Sequence, residues 1–212
     1  MIALTISDCL DAHMAVLRVS ELSTRKERIG VPEAICIRND SFSEEQFTSM
    51  TELIGKIWNG TIILESDDPT ILAKAVIPIA DRKPILVGAN ANDIEQLSMI
   101  ASMFDCPLCV RSENLEELFD LAVKAEESGV QEVIMDPMMK NMKQCLETCT
   151  EIQRISQRLG MDYRIAVRTW SGEYAMTMAS VSLLIGDALV IVDDLDEDSC
   201  ETLSALISSV RR

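Results

Sequence analysis

The sequence predicts an α/β protein organised as one (β/α)8 barrel domain over residues 1–212, with eight parallel strands and small loops. Three observations predict it. A short β-branched run, a polar turn and a segment with helical spacing of apolar residues recur eight times, and no segment is left over. Several of the runs are continuously apolar, as in Ile62-Ile63-Leu64 and Ala188-Leu189-Val190-Ile191-Val192. Strands covered on both faces require such runs. Length agrees, because 212 residues make one ordinary domain near the lower end of the barrel range.

Taken in order, the predicted strands are Ile2 to Ile6, Ala34 to Ile37, Thr61 to Leu64, Pro84 to Val87, Pro107 to Val110, Glu132 to Met135, Arg164 to Val167 and Ala188 to Val192. Each precedes a predicted helix. Ser43-Glu44-Glu45-Gln46, Asp68-Pro69-Thr70 and Ser112-Glu113-Asn114-Leu115 place capping side chains or a first-turn Pro ahead of an apolar stripe. Gly129 and Gly160 stand where the fifth and sixth helices need left-handed C-terminal caps. Hydrophobic residues make up 48% of the chain and aromatics 4%, so the core must come from aliphatic side chains and 12 Met. That composition favours layered α/β packing.

Charge narrows the partners. Nineteen basic residues against 35 acidic ones give a net charge of -16, which repels nucleic acid and anionic membranes. A protein with a basic face, or a neutral or cationic ligand, fits that field better, although solubility alone also accounts for such a charge. No run reaches the roughly 18 residues that would span a bilayer, and the N-terminus lacks the basic start and cleavage site of a signal peptide. The expected location is cytoplasmic, and seven Cys without framework spacing suit a reducing compartment.

In a barrel of this kind, chemistry sits at the C-terminal ends of the strands. The polar residues there include Asp8, Arg38, Asn39, Asp40, Glu65, Asp67, Asn90, Arg111, Asp136, Arg168 and Asp193, in a face rich enough in opposed charges to bind a ligand. Helix capping by itself also produces Asp, Ser and Asn at such positions, and it accounts for Ser7, Asp8, Ser43, Asp68 and Asp194. His13 is the only His and lies within the first predicted helix, which argues against a His-based triad or metal site. Cys106 and Cys109 have CxxC spacing but run into a strand, and Cys145 and Cys149 share a helix face; both pairs read as packing, and no metal is expected. Met138, Met139 and Met142 follow Asp136-Pro137 and offer an apolar rim or loosely packed core.

The segments Glu33-Ala34-Ile35-Cys36-Ile37-Arg38-Asn39-Asp40-Ser41 and Ala80-Asp81-Arg82-Lys83-Pro84-Ile85-Leu86-Val87-Gly88-Ala89 resemble the barrel region of one family. It is the large (gamma) subunit of the corrinoid iron-sulfur protein of acetyl-CoA decarbonylase/synthase. Cys106-Pro107-Leu108, Gly129 to Pro137 and Asp187 to Val192 continue the likeness in the same order. That family adds a four-Cys iron-sulfur segment and a corrinoid-binding domain, which these 212 residues do not match, so the resemblance implies no cofactor bound by this chain alone. It implies a non-catalytic barrel subunit or accessory protein of a corrinoid-dependent methyl-transfer system. Such a subunit would dock onto another barrel or a corrinoid protein, or onto a second copy of itself, and touch a partner's corrinoid. The sequence also resembles the pterin-binding methyltransferases, with Asp67, Asn90 and Asp136 after the third, fourth and sixth strands where those enzymes hold the pterin. Under that alternative the chain is a methyltransferase that binds a methylpterin, with Arg168-Thr169-Trp170 departing from the Asn expected after the seventh strand.

Overall fold

A computed structural model describes residues 1–161, 163–169 and 175–210. Eight parallel strands close into a barrel in sequence order, β1 pairing with both β2 and β8. The strands are β1 (Ile2–Ser7), β2 (Ala34–Arg38), β3 (Thr61–Glu65), β4 (Ile85–Ala89), β5 (Leu108–Arg111), β6 (Val133–Asp136), β7 (Arg164–Thr169) and β8 (Ala188–Val192). The helices are α1 (Ala12–Ile29), α2 (Glu44–Ile57), α3 (Pro69–Val76), α4 (Ile94–Phe104), α5 (Leu115–Glu127), α6 (Met142–Leu159), α7 (Ala175–Ile185) and α8 (Glu197–Val210). A 3-10 segment, Ile77–Arg82, extends α3 toward β4. The predicted fold is the observed one. Every strand but β8 runs one or two residues beyond its predicted end, so Arg38, Glu65, Arg111, Asp136 and Arg168 belong to the ladder. Polar side chains stop an apolar run without stopping the backbone pairing.

Two apolar layers follow from strand alternation. The barrel interior is filled by small and branched residues such as Ala3, Ala34, Cys36, Ile63, Cys109 and Ile134. The opposite faces, with Leu4, Ile35, Leu64, Leu86 and Leu108, pack under the helices. Cys36 and Cys109 act as small hydrophobes, and burial raises both thiols. Cys106, donating to the Phe104 carbonyl, is pushed up to about 11, by burial first and then by Asp105.

Capping is partly as expected. Ser43, Asp68 and Asn114 accept from backbone amides of α2, α3 and α5, and Gly129 and Gly160 are left-handed. Asp8 and Asp194 are not caps. α1 starts later and is capped by Asp11, while Asp196 accepts from Ser199 ahead of α8. Loops of a few extra residues move the helix starts past the first polar residue after the strand.

The N-terminal end of the barrel is held by Arg82. Its guanidinium donates to the carbonyls of Gly55 at 2.8 Å, Trp58 at 2.5 Å and Gly60 at 2.6 Å. Lys26 lies 4.7 Å from the Trp58 ring centroid, completing the clamp on the α2 to β3 turn.

Candidate functional site

At the C-terminal end of the barrel, the side chains two residues beyond the inward apolar layer form a polar floor. Arg38 follows Cys36, Glu65 follows Ile63, Arg111 follows Cys109, Asp136 follows Ile134 and Arg168 follows Ala166. Above them opens a cavity of about 590 Å³, within the range of small-ligand sites.

Glu65 is the centre of the floor and is 8% exposed. Its Oε1 pairs with Arg168 and lies 3.4 Å from Arg111, while its Oε2 accepts from the Cys36 thiol at 3.7 Å. Arg111 reaches on to Asp67 at 3.2 Å. Arg38 forms a second cluster, with Nε 2.8 Å from Asp40 and one terminal nitrogen 2.9 Å from Asp193. Partial burial opposes the Arg38 charge, but Asp40 and Asp193 outweigh it and its pKa is raised. Arg168 is raised likewise against burial, chiefly by Glu65. Asp40 is also partly buried, yet hydrogen bonds from Ser7 and Arg38 hold it below the usual carboxylate range.

Asp136 differs. It is buried in the cavity floor, and its carboxylate accepts from the Met138 amide at 2.9 Å. Burial raises its pKa despite that bond and the nearby Arg111 and Arg168. Across the barrel, just after β2, Asn39 donates to the Ser66 hydroxyl at 2.9 Å and leaves its buried Oδ1 without a hydrogen-bond partner. Gly88 permits this arrangement. A Cβ there would come 2.3 Å from the Ser66 carbonyl, and its φ of +145° favours glycine.

The structure gathers Arg38, Asp40, Asp67, Arg111, Asp136 and Arg168 around this one cavity. Asp193 supports it from behind Arg38. Asp8 lies outside the lining, buried, accepting from the amides of Asp40 and Ser41 at 2.9 Å and so fixing the β2 to α2 loop. Asn90 is also outside the lining: its amide donates to Gly88 and Asp93 and its Oδ1 accepts from Asn92. Trp170 lies outside the described residues. Glu65 and Asn39 are among the polar strand ends of the sequence, and the two-residue step from Ile63 identifies Glu65 as inward-facing.

The lining is neutral overall, with Arg38, Arg111, Arg168 and Lys140 balanced by Asp40, Glu65, Asp67 and Asp136. At its mouth stand Phe42, 79% exposed, and Met138, 41% exposed. Both have left-handed backbones, at φ 54° and 50°. Met139 joins them in the lining, whereas Met142 packs against the core.

Comparisons with known proteins agree with this architecture. The corrinoid/iron-sulfur protein large subunit of Moorella thermoacetica is 28% identical over 159 residues, covering 73% of this chain and 36% of that protein. The acetyl-CoA decarbonylase/synthase complex subunit gamma of Methanothermobacter thermautotrophicus is 31% identical over 106 residues, covering 50% of this chain and 23% of that one. The chain thus spans about a third or less of the length of these relatives. Among solved structures, a dihydropteroate synthase from Coxiella burnetii in complex with pteroic acid superposes with a TM-score of 0.73 at 12% identity, covering 99% of this chain and 91% of that one. At that identity the likeness is one of fold. The model of the CO dehydrogenase/acetyl-CoA synthase delta subunit family matches residues 2–192, and the chain belongs to that family.

Proposed function

We propose that this barrel is a non-catalytic subunit or accessory protein of a corrinoid-dependent methyl-transfer system, and that it docks its C-terminal face onto a partner carrying the corrinoid. The observation that supports this most is the cavity mouth. Phe42 and Met138 hold large apolar side chains in water on left-handed backbones, an arrangement that costs stability and gains meaning when a partner covers it. Beneath them the guanidinium groups of Arg38, Arg111 and Arg168 are matched with carboxylates, which suits a neutral, extended surface better than a strongly anionic small substrate.

The test is binding to a cobamide-loaded corrinoid iron-sulfur protein by sedimentation velocity. The double variant Phe42→Asp, Met138→Asp is expected to lose at least about tenfold in affinity while keeping its fold, as befits two central apolar anchors. Equal binding by wild type and variant would remove the docking role.

A second proposal, methylpterin binding, is favoured by one feature: the cavity lining holds a buried Asn39 Oδ1 without a hydrogen-bond partner, an acceptor for an amino-pyrimidine, while the buried Asp136 carboxyl stands across the barrel at the end of β6. Asp67 stands at the same rim, whereas Asn90 would first have to release its own turn. Isothermal titration with a reduced methylpterin is expected to give micromolar affinity that Asn39→Ala abolishes. No heat with the wild-type protein eliminates this alternative.

A further inference from the structure

Helices α2 and α6 fill the layer between sheet and helices differently. The buried positions of α2 are Phe47, Met50, Thr51 and Ile54, whereas those of α6 are Cys145, Cys149, Ile152 and Ser156. The elements beside α6 contribute small residues as well: Ser182 on α7, then Gly186, and Ala188 at the start of β8. Small side chains on neighbouring elements leave the layer underfilled. A second cavity of about 430 Å³ results, at the N-terminal ends of β6, β7 and β8 and against α6 and α7. It shares no lining residue with the cavity at the other end of the barrel.

Two features of this cavity point to a ligand. Ser156 is 5% exposed, and its hydroxyl has no hydrogen-bond partner. Thr150 and Ser182, in the same pair of helices, donate to the carbonyl four residues back, a bond that Ser156 forgoes. Thr48, Thr51 and Ser98 are also unpartnered but do not line the cavity, whereas Ser156 does. The second feature is charge. Exposed Glu126, Glu132 and Asp187 line the cavity, and among the described lining residues their cationic counterpart is Arg164, 3.6 Å from Glu132 and 3.5 Å from Asp187. Glu126 accepts from the Tyr163 hydroxyl at 3.1 Å, and burial, followed by Glu126, pushes that phenol up to about 12, so it remains a donor.

We infer that this cavity binds a small organic cation, with an ammonium or guanidinium head held by the carboxylates of Glu126, Glu132 and Asp187, an apolar body against Val133, Ile165 and Ile185, and a hydrogen-bonding group that reaches Ser156. Three carboxylates against one guanidinium select positive charge. A buried hydroxyl without a partner is a cost that a ligand atom removes. The volume lies in the lower part of the small-ligand range, which suits a molecule of this size. The docking face is at the opposite end of the barrel, so the inference stands whether or not the docking role does.

The probes are tyramine and agmatine, with 4-hydroxyphenylacetate as the anionic counterpart of tyramine, each titrated calorimetrically into the purified chain. At least one cation is expected to bind at a single site with a Kd below about 1 mM, and the anion at least about tenfold more weakly. Added salt is expected to weaken the cation. Ser156→Ala is expected to weaken it about fivefold and, because the unmet hydroxyl is gone, to raise the Tm of the unliganded protein by about 2 °C. A serine that serves packing alone would lower the Tm instead. Glu126→Gln is expected to weaken the cation about threefold. Glu95→Gln, on the exposed side of α4, is expected to leave binding unchanged, which separates the site from general attraction to a chain of net charge -16. No single-site binding by either cation, equal binding of the anion, affinity unmoved by Ser156→Ala, or equal losses in Glu126→Gln and Glu95→Gln would each overturn the proposal.

Discussion

The two ends of the barrel use arginine in opposite ways. At the N-terminal end, Arg82 faces three backbone carbonyls, which carry no charge and do not titrate. At the C-terminal end, Arg111 and Arg168 face Glu65, and Arg38 faces Asp40 and Asp193. The first arrangement is a fixed clamp on a turn. The second is a set of ion pairs whose members can be redistributed when a ligand or partner displaces one of them, and whose strength depends on pH and dielectric. The same side chain therefore marks architecture at one end and a candidate site at the other. Of the motifs that carry the family resemblance, Asp81-Arg82-Lys83-Pro84 belongs to the architectural end, while Arg38-Asn39-Asp40 and Asp136 belong to the other.

The largest effect that would break this contrast is expected from Arg82. Arg82→Ala removes three charge-assisted hydrogen bonds and is expected to cost about 4 kcal/mol in urea unfolding. Arg82→Lys should recover little of it, because an ammonium group lacks the planar fork that spans three carbonyls. A loss under about 1 kcal/mol would show that the turn holds without the clamp.

Next in size, Glu65→Gln leaves Arg168 and Arg111 without their shared carboxylate and is expected to cost about 2 kcal/mol. It should also weaken whatever binds the cavity, which Arg82→Lys should not do in the fraction that folds. Equal effects of the two substitutions on binding would erase the distinction between the ends.

The smallest effect is the most specific. Burial raises the Asp136 pKa above its unfolded value, so the protonated form is the one folding favours. Its stabilising contribution is therefore present below the unfolded carboxylate pKa and is lost as pH rises through the raised, folded value. Asp136→Asn, which keeps an acceptor for the Met138 amide, is expected to be slightly more stable than wild type at pH 7 and equal to it in acid. Asp40, with its lowered pKa, has the reverse dependence: its contribution is lost as pH falls through the folded value. Chemical denaturation at a series of pH values separates the two, and parallel profiles for the Asp136→Asn and Asp40→Asn variants would refute the assignment.

The architecture was legible because each repeat carries its own apolar strand, turn and capped helix, and because tertiary packing did not override those local signals. The site was legible as a set of positions but not as a network. Period-two alternation places Arg38, Arg111, Asp136 and Arg168 inward once the strands are extended by a residue, yet it does not say which carboxylate each guanidinium meets. Glu65 is among the polar strand ends of the sequence, but it closes an apolar run and looks like any polar residue after a strand, so its central place in the network does not stand out there. Asp8, assigned to a cap, instead fixes a neighbouring loop, a contact between residues 32 and 33 positions apart that no local pattern encodes. Asn90 illustrates the converse: an amide at the right strand end bonds within its own turn.

Phe42 and Met138 set two requirements against each other. Each holds a bulky side chain at a backbone conformation where glycine is less costly by about 1 kcal/mol. A library screened only for survival at high temperature should replace both with Gly or Asn within a few rounds. A library screened for heat resistance and partner capture together should keep them. The residues returned by the two screens would measure, position by position, how much stability the proposed docking rim costs the molecule.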